Sequence, residues 1–337
     1  MKAFPKNKLS EVLSALSKKM PLYVPVQEGD LSRYGFYRDE VELSMENNSS
    51  ISPKELFFPS TEKIYKFTAY GIDGEYEEIL PEKKPYILFG VRSCDMQAIV
   101  CMDDVFLTRG YVDESYNCRR ESATIVTLGC TKPGPDCFCT SMGLNPKEHE
   151  SGDLQLYDLG DHYGMLARTE KGEKVIEDIA ATSLLVESTA VAADPEDCIL
   201  QVDSAGIAEK LQGMFEHPLW DQLWRKCLTC GTCTYLCPTC HCFDISEKKK
   251  NQHCGVKIKC WDSCMFNEYA LMAGGHNPRP SKKEKVRQRF MHKLRYFPER
   301  YGKYQCTGCG RCIAKCPVNL EITDVINQVR EAKVDGR

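Results

Sequence analysis

Four cysteines stand within eleven residues in CLTCGTCTYLCP (227–238), and the pattern returns in CTGCGRCIAKCP (306–317). Thiolates spaced C-x2-C-x2-C-x3-C-P can grip a cube of iron and sulfide. Three sulfurs on one tight loop take three corners, the fourth is carried off by a helical turn, and proline turns the chain away. The chemistry such a centre performs is one-electron transfer. Zinc sites use C-x2-C pairs, four ligands per ion, and have no use for a third cysteine in step, a fourth and a proline, all repeated.

This spacing is the ligand run of bacterial [4Fe–4S] ferredoxins. When two such runs share a domain, the fourth cysteine of each ligates the cluster of the other. Crossed ligation assigns Cys227, Cys230, Cys233 and Cys316 to one cluster, and Cys306, Cys309, Cys312 and Cys237 to a second. Small residues at Gly231, Thr232, Gly308 and Gly310 leave room for backbone N–H groups beside the sulfurs. Four-thiolate clusters are net anionic, and the chain offers compensation: Glu247 to Arg311 holds 16 Lys or Arg against five Asp or Glu, although the whole chain is at −4.

Four more cysteines form a candidate third centre. Cys94 follows the apolar run YILFGV, Cys130 follows TIVTLG, and Cys137 and Cys139 sit in the loop TKPGPDCFCTSMG. If the two runs are parallel neighbours, Cys94 and Cys130 emerge together at the strand ends, where open α/β sheets place their sites. The alternatives are zinc, or cysteines that merely fill core space. Cys240, Cys242 and Cys264 are weaker metal candidates, with His241, Cys254 or Cys260 as co-ligands; packing around the clusters with Trp261 and Phe243 is the preferred role. Cys101, Cys118 and Cys198 read as ordinary thiols, and His253 as a weak ligand.

The elements that must position these sulfurs divide near residue 215. Residues 1–215 read as an α/β domain. A helix presents Leu9, Val12, Leu13 and Leu16 on one face. Residues 85–91 and 123–129 are buried strands, the first leading into a helix with Ser93 as N-cap. Residues 154–158 and 163–168 make a hairpin, and helices follow at 172–181 and in SAGIAEKLQGMF. Residues 216–337 read as a mostly α-helical ferredoxin-like dicluster domain. Its helices are HPLWDQLWRK, PSKKEKVRQRFMHKLRYF and EITDVINQVREA, the last starting near Thr323 or Asp324. The 68 residues separating Cys237 from Cys306 read as helical, which resembles the α-helical ferredoxin domain of succinate dehydrogenase and heterodisulfide reductase subunits.

Twenty cysteines without an apolar leader at the N-terminus, and without an apolar run long enough to cross a bilayer, predict a reduced cytoplasmic protein. The chain contains no GxGxxG, P-loop or G-x-S-x-G for a nucleotide or a nucleophile.

The blocks GVRSCDMQAI, RRE, CFCTSMG, HPLWD, CPTCHCFD, WDSC, MAGGHNPR and the two cysteine runs together resemble the family of sulfhydrogenase β subunits and anaerobic sulfite reductase A subunits. The matching segments span about residues 86 to 330; residues 1–85 carry no matched motif. The resemblance implies an electron-transfer subunit of a soluble complex in an anaerobe. It would relay electrons between a flavoprotein subunit using NAD(P)H and a catalytic partner, a hydrogenase or a sulfite or sulfur reductase. Two [4Fe–4S] clusters are expected, with the N-terminal four cysteines as a possible third. Two other functions compete. The chain could itself reduce a sulfur substrate near the N-terminal site. It could also be a zinc-stabilised nucleic-acid binder that uses the basic helix 281–296, with Phe290, Tyr296 and Phe297 stacking on bases.

Overall fold

A computed structural model describes residues 1–334. The N-terminal region is built on an eight-stranded mixed sheet. Its order is Val186–Glu187, Lys2–Pro5, His162–Ala167, Leu154–Asp158, Ala123–Leu128, Tyr86–Val91, Leu22–Glu28 and Leu31–Phe36. The strands beginning at Leu22, Tyr86, Ala123 and Leu154 run parallel, and antiparallel strands close both edges. The two central strands are buried on both faces, which is why they read as unbroken apolar runs and not as alternation.

Helices cover both faces. Leu9–Ser17 and Glu170–Ala180 pack Val12, Leu16 and Val175 against Ile87, Phe89 and Val126. Ser93–Leu107 and Glu114–Ser122 pack Met96, Ile99 and Tyr116 against Leu88 and Ile125. A bulge at Gly90 (φ +81°) interrupts the pairing between Phe89 and Val91 and turns Val91 to the face of Leu88. A Cβ at Gly90 would meet Met45 at 3.0 Å and Pro25 at 3.3 Å. Ser93 is not the N-cap of its helix: Arg92 holds that position, and the Ser93 hydroxyl points to Glu148 O.

The segment between the cysteine runs is not wholly helical. Phe243–Lys249 and Cys254–Trp261 form a hairpin that joins Thr61–Tyr70 and Asp73–Glu78 in a four-stranded antiparallel sheet. Val256, Ile258 and Cys260 alternate with Lys257 and Lys259, a period of two that a helix cannot use. This sheet pairs strands from both sides of residue 215.

The remaining C-terminal elements are helices, chiefly Leu219–Leu223, Lys282–Met291 and Ile322–Glu331. They share a core of Trp220, Phe290, Leu294, Val325 and Val329, to which the helix Ile207–Gln212 also contributes. Ser281 and Glu284 form a capping box at the start of the basic helix, which continues past Met291 through a wide π turn over His292–Tyr296. The last helix begins at Ile322, with Thr323 and Asp324 in its first turn, and Glu321 precedes it without a side-chain cap. Among the described residues no helix is long and apolar enough to cross a membrane.

Candidate iron–sulfur centres

Each cysteine run is a loop followed by one helical turn, Thr232–Tyr235 in the first and Arg311–Ala314 in the second. The loops need left-handed backbone at Thr229, Gly231, Gly308 and Gly310. Such backbone turns amides inward: Thr229 N–H donates to Cys227 Sγ at 3.3 Å, and beyond the second run, after the left-handed Asn319, Leu320 N–H donates to Cys316 Sγ at 3.3 Å. Cys227, Cys230, Cys233 and Cys316 line one cavity together with Arg289 and Phe290. The fourth sulfur of the second run thus faces the first three of the first run. Conversely, Cys237 lies in electrostatic reach of Cys306, Cys309 and Cys312.

The glycines answer a packing demand as well as an amide one. A Cβ at Gly308 would stand 2.6 Å from the backbone of Cys139, and one at Gly310 would stand 2.6 Å from Asp136 O. Phe138 N–H donates to Gly308 O at 2.8 Å, so the second run lies directly on the N-terminal cysteine loop. Gly231 is held small by Phe266, 2.8 Å from where its Cβ would be.

Cys94, Cys130, Cys137 and Cys139 line a further cavity, and Cys309 of the second run shares its wall. The parallel pairing of Tyr86–Val91 with Ala123–Leu128 brings Cys94 and Cys130 to the same sheet end. Arg92 locks the two strand ends together, donating to Gly129 O at 2.7 Å and to Met45 O. Burial raises the thiols of Cys94, Cys130 and Cys139, and pushes Cys137 up to about 12. At Cys94, burial outweighs the nearby Arg311 charge, which acts to lower it. Thiolates in that cavity need a cation among them.

Cys198 is the sulfur the sequence reading missed. It is buried with Cys94, Cys137 and Cys139, and its Sγ lies 4.0 Å from that of Cys139. An extended segment carries it over the site, pinned by Glu196 N–H to Thr131 O (2.9 Å) and by Ser204 Oγ to Ser141 O (2.7 Å). No metal-ligand spacing marks it, because it lies 59 residues beyond Cys139.

The buried cations test whether clusters fit. Arg289 is almost fully buried, its Nε has no hydrogen-bond partner, and no carboxylate pairs with it among the described residues. Burial alone would lower its pKa, but Cys233, Cys312, Cys240 and Cys237 hold it up. Lys293, delivered by the π turn, donates to Cys237 Sγ at 3.2 Å and to Thr239 Oγ1 at 2.9 Å. A buried charge left without its counter-charge costs several kcal/mol. Anionic clusters in the thiol-lined spaces beside Arg289 and Lys293 supply what these cations lack, so the residues fit the group.

The other candidates divide. Cys240 is hydrogen-bonded to Cys237, which lowers Cys237 and raises Cys240. Cys242 pairs with Cys264, whose hydrogen bond pushes Cys242 down to about 6. Of the three weaker candidates, Cys240 therefore pairs with the cluster cysteine Cys237, whereas Cys242 and Cys264 pair with each other. Cys254 and Cys260 lie on the hairpin, opposite Thr68 and Thr61. His241 is half-buried, its ring bound to Thr239 O, and His253 stacks on Tyr70. Among the described residues no three His, Cys, Asp or Glu side chains converge closely enough to hold a single metal ion. The basic helix offers little to stacked bases: Phe290 and Phe297 are core residues, Tyr296 packs half-buried against the same core, and Lys285, Arg287, Arg289 and Lys293 are buried.

Comparison with known proteins finds a family and a relative. Residues 226–320 match the family described as a 4Fe-4S dicluster domain. Over 96% of its length the chain is 29% identical to sulfhydrogenase 2 subunit beta of Pyrococcus furiosus, 96% of which is covered. The chain thus resembles a sulfhydrogenase β subunit over nearly its whole length and carries a 4Fe–4S dicluster domain at residues 226–320.

Proposed function

We propose that the chain is an iron–sulfur electron-transfer subunit of a multi-subunit oxidoreductase, with three groups of thiols in series. The observation that carries this is the adjacency of the groups. Arg289 lines the cavity of the first group and is in electrostatic reach of Cys233 of the first and Cys312 of the second, and Cys309 of the second shares a cavity wall with Cys94 and Cys137. Cys227, Cys230, Cys233 and Cys316 would hold one [4Fe–4S] cluster, and Cys306, Cys309, Cys312 and Cys237 another. The N-terminal cavity walled by Cys94, Cys130, Cys137 and Cys139 would hold a third. Such clusters, when bound, supply one-electron carriers. The chain's own part is to seat them, offset their charge with Arg289 and Lys293, and keep water from the inner two.

The resemblance supports a cytoplasmic hetero-oligomer in an anaerobe, with a flavoprotein using NAD(P)H on one side and a hydrogenase or sulfite or sulfur reductase on the other. The test is made in the purified complex. Replacing this chain by its Cys233→Ser variant should stop NAD(P)H-driven reduction of the terminal acceptor, while reduction of a dye at the flavoprotein continues. Undiminished flow to the acceptor would refute the relay.

One observation favours a second reading, in which the chain itself reduces a sulfur substrate. Cys242 lies outside the three groups, with its thiol pushed down to about 6 by Cys264. Viologen-driven reduction of sulfite or polysulfide by the isolated chain, lost in Cys242→Ser, would establish it.

A further inference from the structure

We propose that the face around Cys230 docks a small acidic one-electron carrier protein, so that the first thiol group is where electrons cross the protein surface. This rests on the relay reading and adds the port and the chemistry of the carrier.

Of the 20 cysteines, Cys230 alone is exposed; those of the second and N-terminal groups are buried or half-buried. The loop that carries it is apolar at its tip. Leu228 is 58% exposed, and Leu31 and Tyr235 nearby are 41% and 38% exposed. Open hollows lie on either side of the loop, one bordered by Thr229, Trp224 and Lys282, the other by Cys230, Tyr235 and Lys315. A protruding apolar tip between two hollows is a shape that a partner surface can clasp while excluding water from the thiol group.

The rim carries positive charge that no carboxylate offsets, although Lys282 donates to Cys227 O at 3.1 Å and Arg225 Nε to Asp221 O at 3.1 Å. Arg225, Lys226, Lys282 and Lys315 are exposed and have no carboxylate partner among the described residues. Asp221 is the one carboxylate bordering either hollow, and Lys283 already neutralises it at 2.9 Å. Whole-chain charge is −4, so this cationic rim is local and opposes the overall sign. An apolar centre ringed by cations without carboxylate partners steers an acidic partner and raises its rate of encounter, and that rate falls with salt.

The experiment uses the full chain with its clusters. A small acidic two-cluster ferredoxin, reduced and freed of excess reductant, is mixed anaerobically with the oxidised protein, and the second-order rate of electron transfer is followed against ionic strength. The rate should fall steeply with salt. Arg225→Glu/Lys226→Glu/Lys315→Glu should slow it by about ten-fold or more at low salt, with iron content unchanged. Lys248→Glu/Lys249→Glu/Lys250→Glu, an equal charge change on the exposed hairpin strand and its turn, should leave the rate as it was. A salt-independent rate, or equal slowing by both triple variants, would overturn the docking face. Methyl viologen separates this from the relay reading. If it reduces the clusters normally while the ferredoxin ignores the basic rim, docking alone fails; if the chain holds no reducible cluster, both fail.

Discussion

Arg311 grips Asp95 through two parallel N–H···O bonds of 2.6 and 2.8 Å, and both side chains are almost completely buried. The same guanidinium donates to Ser49 O at 2.7 Å. Arg311 lies between Cys309 and Cys312, and Asp95 directly follows Cys94, so one ion pair fixes the second cysteine run against the N-terminal site. Removing one partner of a buried pair leaves an uncompensated charge and costs about 3–5 kcal/mol. Arg311→Met should therefore lower the unfolding temperature sharply in anaerobic thermal melts, and Arg311→Met/Asp95→Leu should recover much of the loss. Arg311→Lys should not rescue, because an ammonium cannot reproduce the two-pronged contact.

The crossed arrangement of fourth sulfurs gives a separable pair of outcomes. Cys237→Ser should disturb the cluster built on Cys306, Cys309 and Cys312, whereas Cys316→Ser should disturb the one built on Cys227, Cys230 and Cys233. EPR of the two variants distinguishes the centres, and the reverse assignment would show uncrossed ligation.

Lys293 and Arg289 should act through charge. A positive neighbour favours the more anionic, reduced state, so removing it lowers the midpoint potential. Lys293→Met should lower the potential of the centre that includes Cys237, and Lys293→Arg should largely preserve it. Arg289→Met should lower two potentials together, since Cys233 and Cys312 both face it. Potentiometric EPR titration reads both effects.

Two glycines with left-handed backbone separate strain from contact. At Gly302 (φ +70°) a Cβ would meet open space, so Gly302→Ala should cost about 1 kcal/mol of conformational strain alone. At Gly308 (φ +63°) the Cβ would also strike the backbone of Cys139 at 2.6 Å. Gly308→Ala should cost several-fold more in anaerobic melts and weaken iron retention in the N-terminal cavity.

Much of this architecture is legible in residue order because its signals are local. The cysteine runs carry their spacing within eleven residues, and the strands Tyr86–Val91 and Ala123–Leu128 carry theirs in continuous apolar runs that only a sheet buried on both faces uses. The features that escape are those whose meaning depends on distant contacts. Cys198 has no ligand spacing and joins the N-terminal thiols only because an extended segment folds back over Ser141. The hairpin over residues 243–261 lies in a stretch dominated by charge; its period of two becomes useful only beside Thr61–Tyr70, nearly two hundred residues earlier. Arg289 reads as one more cation in a basic helix until its burial without a carboxylate shows that it needs an anion.

Whether these thiols hold iron–sulfur cubes is decided by elemental analysis of the anaerobically purified chain. Three seated clusters give about twelve iron and twelve sulfide per chain with little zinc, falling by about four iron in Cys137→Ala. A colourless chain containing zinc and no sulfide would contradict that seating.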